Sequence, residues 1–224
     1  MVYNHDRGAA LKEKGKTGMP VVLSLQGCMA VGKTTAVEYL RVHAPYVHIS
    51  YESVADVVEA VKARALKKDV FADYVEIQRL WITHEIERYR RAQAFECTVM
   101  DFGAEEIEFY TLHYPLTIGQ RWPVEETLHE ELAALRSCMP DRILFLRARE
   151  ETLRARKEGD TTRTRTFFEH HLQYLLPLKT KWFIGRPDVD VLDVDALTQE
   201  ETGARVKAWV DAQIASISGF STSK

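Results

Sequence analysis

Between residues 20 and 43 an apolar run, "PVVLSLQ", meets "GCMAVGKT" and then a pattern that predicts a helix from about Lys33 to His43. No other stretch limits the fold so tightly. Gly27 to Thr34 matches G-x-x-x-x-G-K-[ST] at every fixed position, after a strand and before a helix, the context in which that motif is specific. Glycines at 27 and 32 let successive backbone N–H groups turn inward as an anion nest. The helix behind them adds unpaired N-terminal N–H groups and the positive end of its dipole. Lys33 brings a mobile charge for the β- and γ-phosphates, and the Thr34 hydroxyl is a Mg²⁺ ligand type. A tight glycine turn alone would need neither. Gly27, Ala30, Val31, Gly32, Lys33, Thr34 and Thr35 are therefore expected to cradle ATP.

The same alternation continues along the chain. Strand patterns at 46–50, 95–102, 142–148 and 189–194 are separated by helical stripes at 53–68, 70–94, 124–137, 150–157 and 166–183. A last helix opens at Thr198, with Glu201 at capping-box spacing. Strand–helix alternation with wholly apolar strands implies an α/β fold: a parallel sheet of about five strands with helices on both faces. No repeat or linker divides the 224 residues. The expectation is one P-loop domain over 19–219 behind an N-terminal arm, 1–18.

Ligands of such sheets bind at the carboxyl ends of the strands. Glu52 follows the second strand, where a carboxylate can take the proton of an acceptor hydroxyl; a solvated glutamate near a helix start is the competing reading. Asp101 ends the third strand in "CTVMD", the Walker B arrangement that holds Mg²⁺ directly or through water. The triplet "DFG" at 101–103 is coincidental: no H-R-D loop or V-A-I-K lysine accompanies it. After the fourth strand, "LRARKEGDTTRTR" carries Arg154, Arg156, Arg163 and Arg165, which fit a lid at about 154–166. A solvated basic helix end is the alternative. His170 and His171 are adjacent on a helix, face different directions, and read as surface or packing residues.

From Pro20 to about Leu197 the chain resembles the deoxynucleoside kinases, and more distantly the thymidylate kinases. The resemblance rests on "GCMAVGKT", "SYESV", "VEIQRLW", "VMD", "MPDRILFLRA" running into "ETLRARKEGDTTRTR", and "VDVLDVDAL". It implies a catalytic role for Glu52, base reading by Gln78, Mg²⁺ association for Asp101 and a lid-arginine role for Arg156. Arg163 and Arg165 fall near the later lid arginines. An amide such as Gln78 offers both donor and acceptor to a base edge, and Trp81 stands close by to stack or to fill the core. Glu105 and Glu106 are candidates for acceptor hydroxyls or plain helix-start charges. Two departures stand out. Phe102 occupies the place of the family's arginine after its acidic residue, and Glu85 stands where an arginine usually lies seven residues after the glutamine.

The reading that follows is an ATP- and Mg²⁺-dependent kinase of a nucleoside hydroxyl, a deoxynucleoside first. Another hydroxylated metabolite or antibiotic is the second choice, and a regulatory NTPase the third; no N-K-x-D guanine motif supports a GTPase. A net charge of −3 disfavours nucleic acid as a partner. No apolar stretch suits a membrane span, and sparse, scattered cysteines suit a reducing, cytoplasmic setting. A homodimer is compatible with these features.

Overall fold

A computed structural model describes residues 19–52, 54–159 and 167–219. The elements run β1 (Val21–Gly27), α1 (Lys33–His43), β2 (His48–Ser50), α2 (Ala55–Ala63), α3 (Phe71–Ala92), β3 (Cys97–Asp101) and α4 (Ala104–Thr117). They continue α5 (Val124–Thr127), α6 (His129–Arg136), β4 (Arg142–Arg147), α7 (Glu150–Gly159), α8 (Phe168–His170), a π-helical turn His171–Leu175, α9 (Leu176–Phe183), β5 (Val189–Asp193) and α10 (Gln199–Gly219). The five strands form one sheet in the order β2-β3-β1-β4-β5, and every pairing is parallel.

β1 is buried along its whole length because it lies at the sheet centre with helices on both faces. Alternation then sorts its side chains. Leu23 and Leu25, with Val99, Leu144 and Leu146, pack against Val37 and Leu40 of α1 and Val206 and Val210 of α10. Ile143 and Phe145 turn to the other face and meet Phe109, Leu175 and Phe183. A separate helical cluster of Tyr74, Val75, Ile82, Ile107, Leu132 and Leu135 joins α3, α4 and α6. α1 and α10 approach closely through Gly203, where an added Cβ would lie 2.3 Å from the Tyr39 ring.

The fold class and strand positions agree with the sequence reading; several helix boundaries do not. The expected 53–68 helix ends at Ala63, and the 124–137 stripe breaks into α5 and α6 at Leu128. α4 has no full stripe in the sequence because it is buried on several sides, including Glu105, Ile107, Phe109, Thr111 and Tyr114. A helix enclosed that way shows no polar face to mark its period. The capping box forms as read: Glu201 N–H donates to Thr198 Oγ1 at 3.2 Å, and Thr198 N–H donates back to Glu201 Oε2 at 2.9 Å. The N-terminal arm, Arg163 and Arg165 lie outside the described residues. Among the described residues no helix is long and apolar enough to cross a membrane.

Candidate active site

The carboxyl ends of β1, β2 and β3 open into a cleft of about 1110 Å³. Its floor is the β1–α1 loop. Gly27 lies at φ 139, and a Cβ there would meet the Leu146 carbonyl oxygen at 2.5 Å. Gly32 has open space around it, but its φ of 111 is one that only glycine adopts without strain. Gly32, the N-cap of α1, has no side chain with which to cap the first amides, and the first turn holds no acidic residue. An uncapped helix start behind a loop of turned-in amides is an anion site. Ala30, Val31, Thr34 and Thr35 line the same cleft.

Lys33 folds over the loop and donates to the carbonyls of Gly27 and Cys28 at 3.2 Å each. Burial lowers its pKa, and the Asp101 charge opposes that shift. Asp101 is buried at the end of β3, and its Oδ1 accepts no hydrogen bond from the described residues. A buried carboxylate oxygen without a partner is costly unless a cation or water meets it. Thr34 and Asp101 are therefore the residues that would hold a Mg²⁺ ion here. Burial pushes the Cys28 thiol up to about 11, so it is not a reactive thiolate at neutral pH.

Glu52 lies in the loop after β2 and lines the cleft. Its residue surface is open to solvent, yet protein surrounds the carboxylate closely. Burial first, and then the Asp101 charge, raise its pKa against the pull of Lys33 and Arg88. A carboxylate so placed is a stronger base than a free surface glutamate.

The sequence reading missed what stands behind Glu52. Arg88 of α3 is 3% exposed and Glu85 2%. The guanidinium donates to Glu85 through Nε at 2.9 Å and Nη2 at 3.2 Å. Its Nη1 donates to the Ser50 carbonyl at 3.3 Å, and Nη2 also donates to the Phe102 carbonyl. One buried cation thus ties together the ends of β2 and β3, the first leading into Glu52 and the second ending in Asp101. Phe102 needs that support, since it sits at a left-handed φ of 50 with its ring 5.4 Å from the Arg88 carbon. Glu85, a departure in sequence, is the counter-ion of this cation. Burial pushes its carboxyl up to about 7 against the attraction of Arg88. Removing one partner of a buried pair costs about 3–5 kcal/mol. Arg88→Met is expected to lower the melting temperature by about 10 °C and also to lower turnover, which calorimetry and an ADP-release assay would register.

Gln78 is 1% exposed and lines the cleft from α3. Thr111 Oγ1 donates to its Oε1 at 2.8 Å, while its Nε2 has no partner among the described residues. The amide therefore offers a donor to whatever enters. Trp81, Phe102, Tyr110 and Phe167 supply aromatic walls, and Trp81 also packs against the α3–α4–α6 cluster.

Three residues, Glu105, Arg154 and Arg156, sit differently from their sequence assignment. Glu105 does not face the cleft. It is fully buried beneath it, accepting bonds from Ser24 Oγ, Gln26 Nε2 at 2.8 Å and the Gly103 N–H at 2.9 Å. Glu106, one residue on, does line the cleft and pairs with Lys179 at 2.6 Å. Arg154 points away, held by Glu150 and Glu169 at the surface. Arg156 lines the cleft but donates to the carbonyls of Val31 at 2.9 Å and Val194 at 2.7 Å, tying the phosphate loop to the segment after β5.

This is the loop and sheet of a P-loop nucleotide-binding fold. A deoxyadenosine kinase from M. mycoides superposes with a TM-score of 0.61 at 15% identity, over 86% of this chain and 100% of that one. A thymidylate kinase from Candida albicans gives 0.60 at 15% identity, over 87% and 92%. No protein-family model and no curated protein sequence matches the chain. The likeness is one of fold.

Proposed function

We propose that the protein is a kinase that moves the γ-phosphoryl group of ATP to a hydroxyl of a nucleoside, with a deoxynucleoside as first choice. One observation carries this reading: a single cleft joins the P-loop, Lys33 and Asp101 to Glu52, and Glu52 to the unpartnered amide of Gln78 between aromatic walls. The phosphate loop and the α1 N-terminus would bind the triphosphate. Thr34 and Asp101 would hold Mg²⁺, which supplies positive charge to the β- and γ-phosphates when bound. Glu52 would take the acceptor's hydroxyl proton as the new O–P bond forms and the bridging bond to ADP breaks. Lys33 would stabilise the charge left on the phosphates. Gln78 and the aromatic side chains would hold a planar base that presents an oxygen or nitrogen lone pair.

The fold neighbours, a deoxyadenosine kinase and a thymidylate kinase, support a kinase of the nucleoside or nucleotide type. A panel of nucleosides, nucleoside monophosphates and unrelated alcohols, each assayed for ADP release with Mg²⁺–ATP, tests the reading. Acceptor-dependent turnover confined to nucleosides is the expected result. Turnover with only the other alcohols would assign the second acceptor class, and ADP release independent of every acceptor would favour a hydrolase.

A further inference from the structure

His171 belongs to the wall of the cleft that precedes α9. It opens the π-helical turn, is 6% exposed, lines the cleft, and its Nε2 has no hydrogen-bond partner among the described residues. Lys179, eight residues later on α9, is 2% exposed, lines the same cleft and pairs with Glu106. In a continuous α-helix, eight residues at about 100° each would leave the two side chains about 80° apart. The i→i+5 turn winds less per residue and helps bring both to one wall; such insertions recur at functional sites.

The charges around the ring locate it further. His171, Lys179 and Lys33 line the same cleft, and the charges of Lys179 and Lys33 both reach the imidazole, His170 acting more weakly. Burial and those cations hold it neutral. Glu106 is the carboxylate on this wall, already engaged by Lys179. A neutral ring adds no third positive charge, but it retains one N–H. A buried N–H without an acceptor is costly, and the group that a kinase brings between its cations is an oxygen-rich anion.

We propose that His171 is a further catalytic residue, its Nε2–H donating to a non-bridging oxygen of the phosphoryl group in transit, beside Lys33 and Lys179. The assignment rests on the kinase reading above. No bond to His171 forms and its proton stays in place. The acceptor oxygen–phosphorus bond forms, the bridging bond to ADP breaks, and the acceptor's proton goes to Glu52.

His171→Leu and His171→Gln separate this role from packing. With Mg²⁺–ATP and the acceptor that turns over fastest, His171→Leu is expected to lower kcat about thirtyfold, the loss of one hydrogen bond to a charged group. KM for both substrates should stay within about twofold if the bond strengthens only in the transition state. His171→Gln, whose amide N–H reaches nearly the same place, should recover kcat to within about fivefold of wild type. Equal kcat in wild type and His171→Leu, or equal losses in both variants, would overturn the assignment. Should both variants fail to fold, the imidazole ¹⁵N shifts of wild type decide. A protonated Nε2 that shifts on binding a non-hydrolysable ATP analogue with acceptor supports it, and an unprotonated or unmoved Nε2 overturns it. A wild-type protein that transfers phosphoryl to no acceptor would defeat the kinase reading and this assignment together. Transfer by wild type with an unimpaired His171→Leu would defeat this assignment alone.

Discussion

Lys33→Ala is expected to abolish measurable phosphoryl transfer, lowering kcat by about a thousandfold, or about 4 kcal/mol of transition-state stabilisation. The lysine already lies over the loop, bonded to the carbonyls of Gly27 and Cys28, so the reach to the phosphates is short. Its charge is costly where it sits, as the lowered pKa records, and a phosphate in the loop would relieve that cost. Folding should survive, because removal takes away two exchangeable hydrogen bonds to carbonyls and leaves the core cluster beneath α1 untouched. A normal melting curve with no ATP-dependent rise, beside wild type showing one, is the accompanying signature. Retention of wild-type turnover by Lys33→Ala would remove the phosphate-clamp role.

Glu52→Gln should cost about a hundredfold to ten-thousandfold in kcat, the range that a positioned general base supplies. It should also change the pH profile. Only the ionised carboxylate accepts a proton, and burial together with Asp101 raises the pKa of Glu52. Wild-type kcat should therefore rise with pH along an acid limb set above the ordinary glutamate value of about 4.3. Glutamine keeps the size and polarity but does not titrate, so the variant's residual rate should lose that limb. An unchanged limb in Glu52→Gln would assign the base elsewhere. The buried Glu85 carboxyl, also raised, would then be examined by Glu85→Gln.

The phosphate loop, Glu52 and Asp101 are legible as cleft residues because each stands at a marked place, a fixed motif position or the end of an apolar strand, whereas Gln78, in the middle of α3, is picked out by the family resemblance alone. Glu105 and Glu106 were not separable in sequence. Adjacent residues at a helix start point in different directions, and only the packing of α4 shows that Glu105 goes down to Ser24 and Gln26 while Glu106 faces the cleft. Arg154 and Arg156 illustrate the same rule in legible form. Two residues apart on a helix means about 200° of rotation, so both could not face the phosphates. The Glu85–Arg88 pair has the spacing of an ordinary surface ion pair. Its weight comes from burial under two strand ends, which no local pattern encodes. His171 read as a surface or packing residue on α-helical spacing, and the π-turn that carries it changes that spacing.

The fate of the terminal phosphorus tests the central claim most directly. Protein in excess over γ-³²P-labelled ATP, mixed with Mg²⁺ and a deoxynucleoside and followed through a single turnover, should transfer the label to an organic ester that co-migrates with the nucleoside monophosphate. Label found only as inorganic phosphate, at the same rate whether or not an acceptor is present, would contradict it.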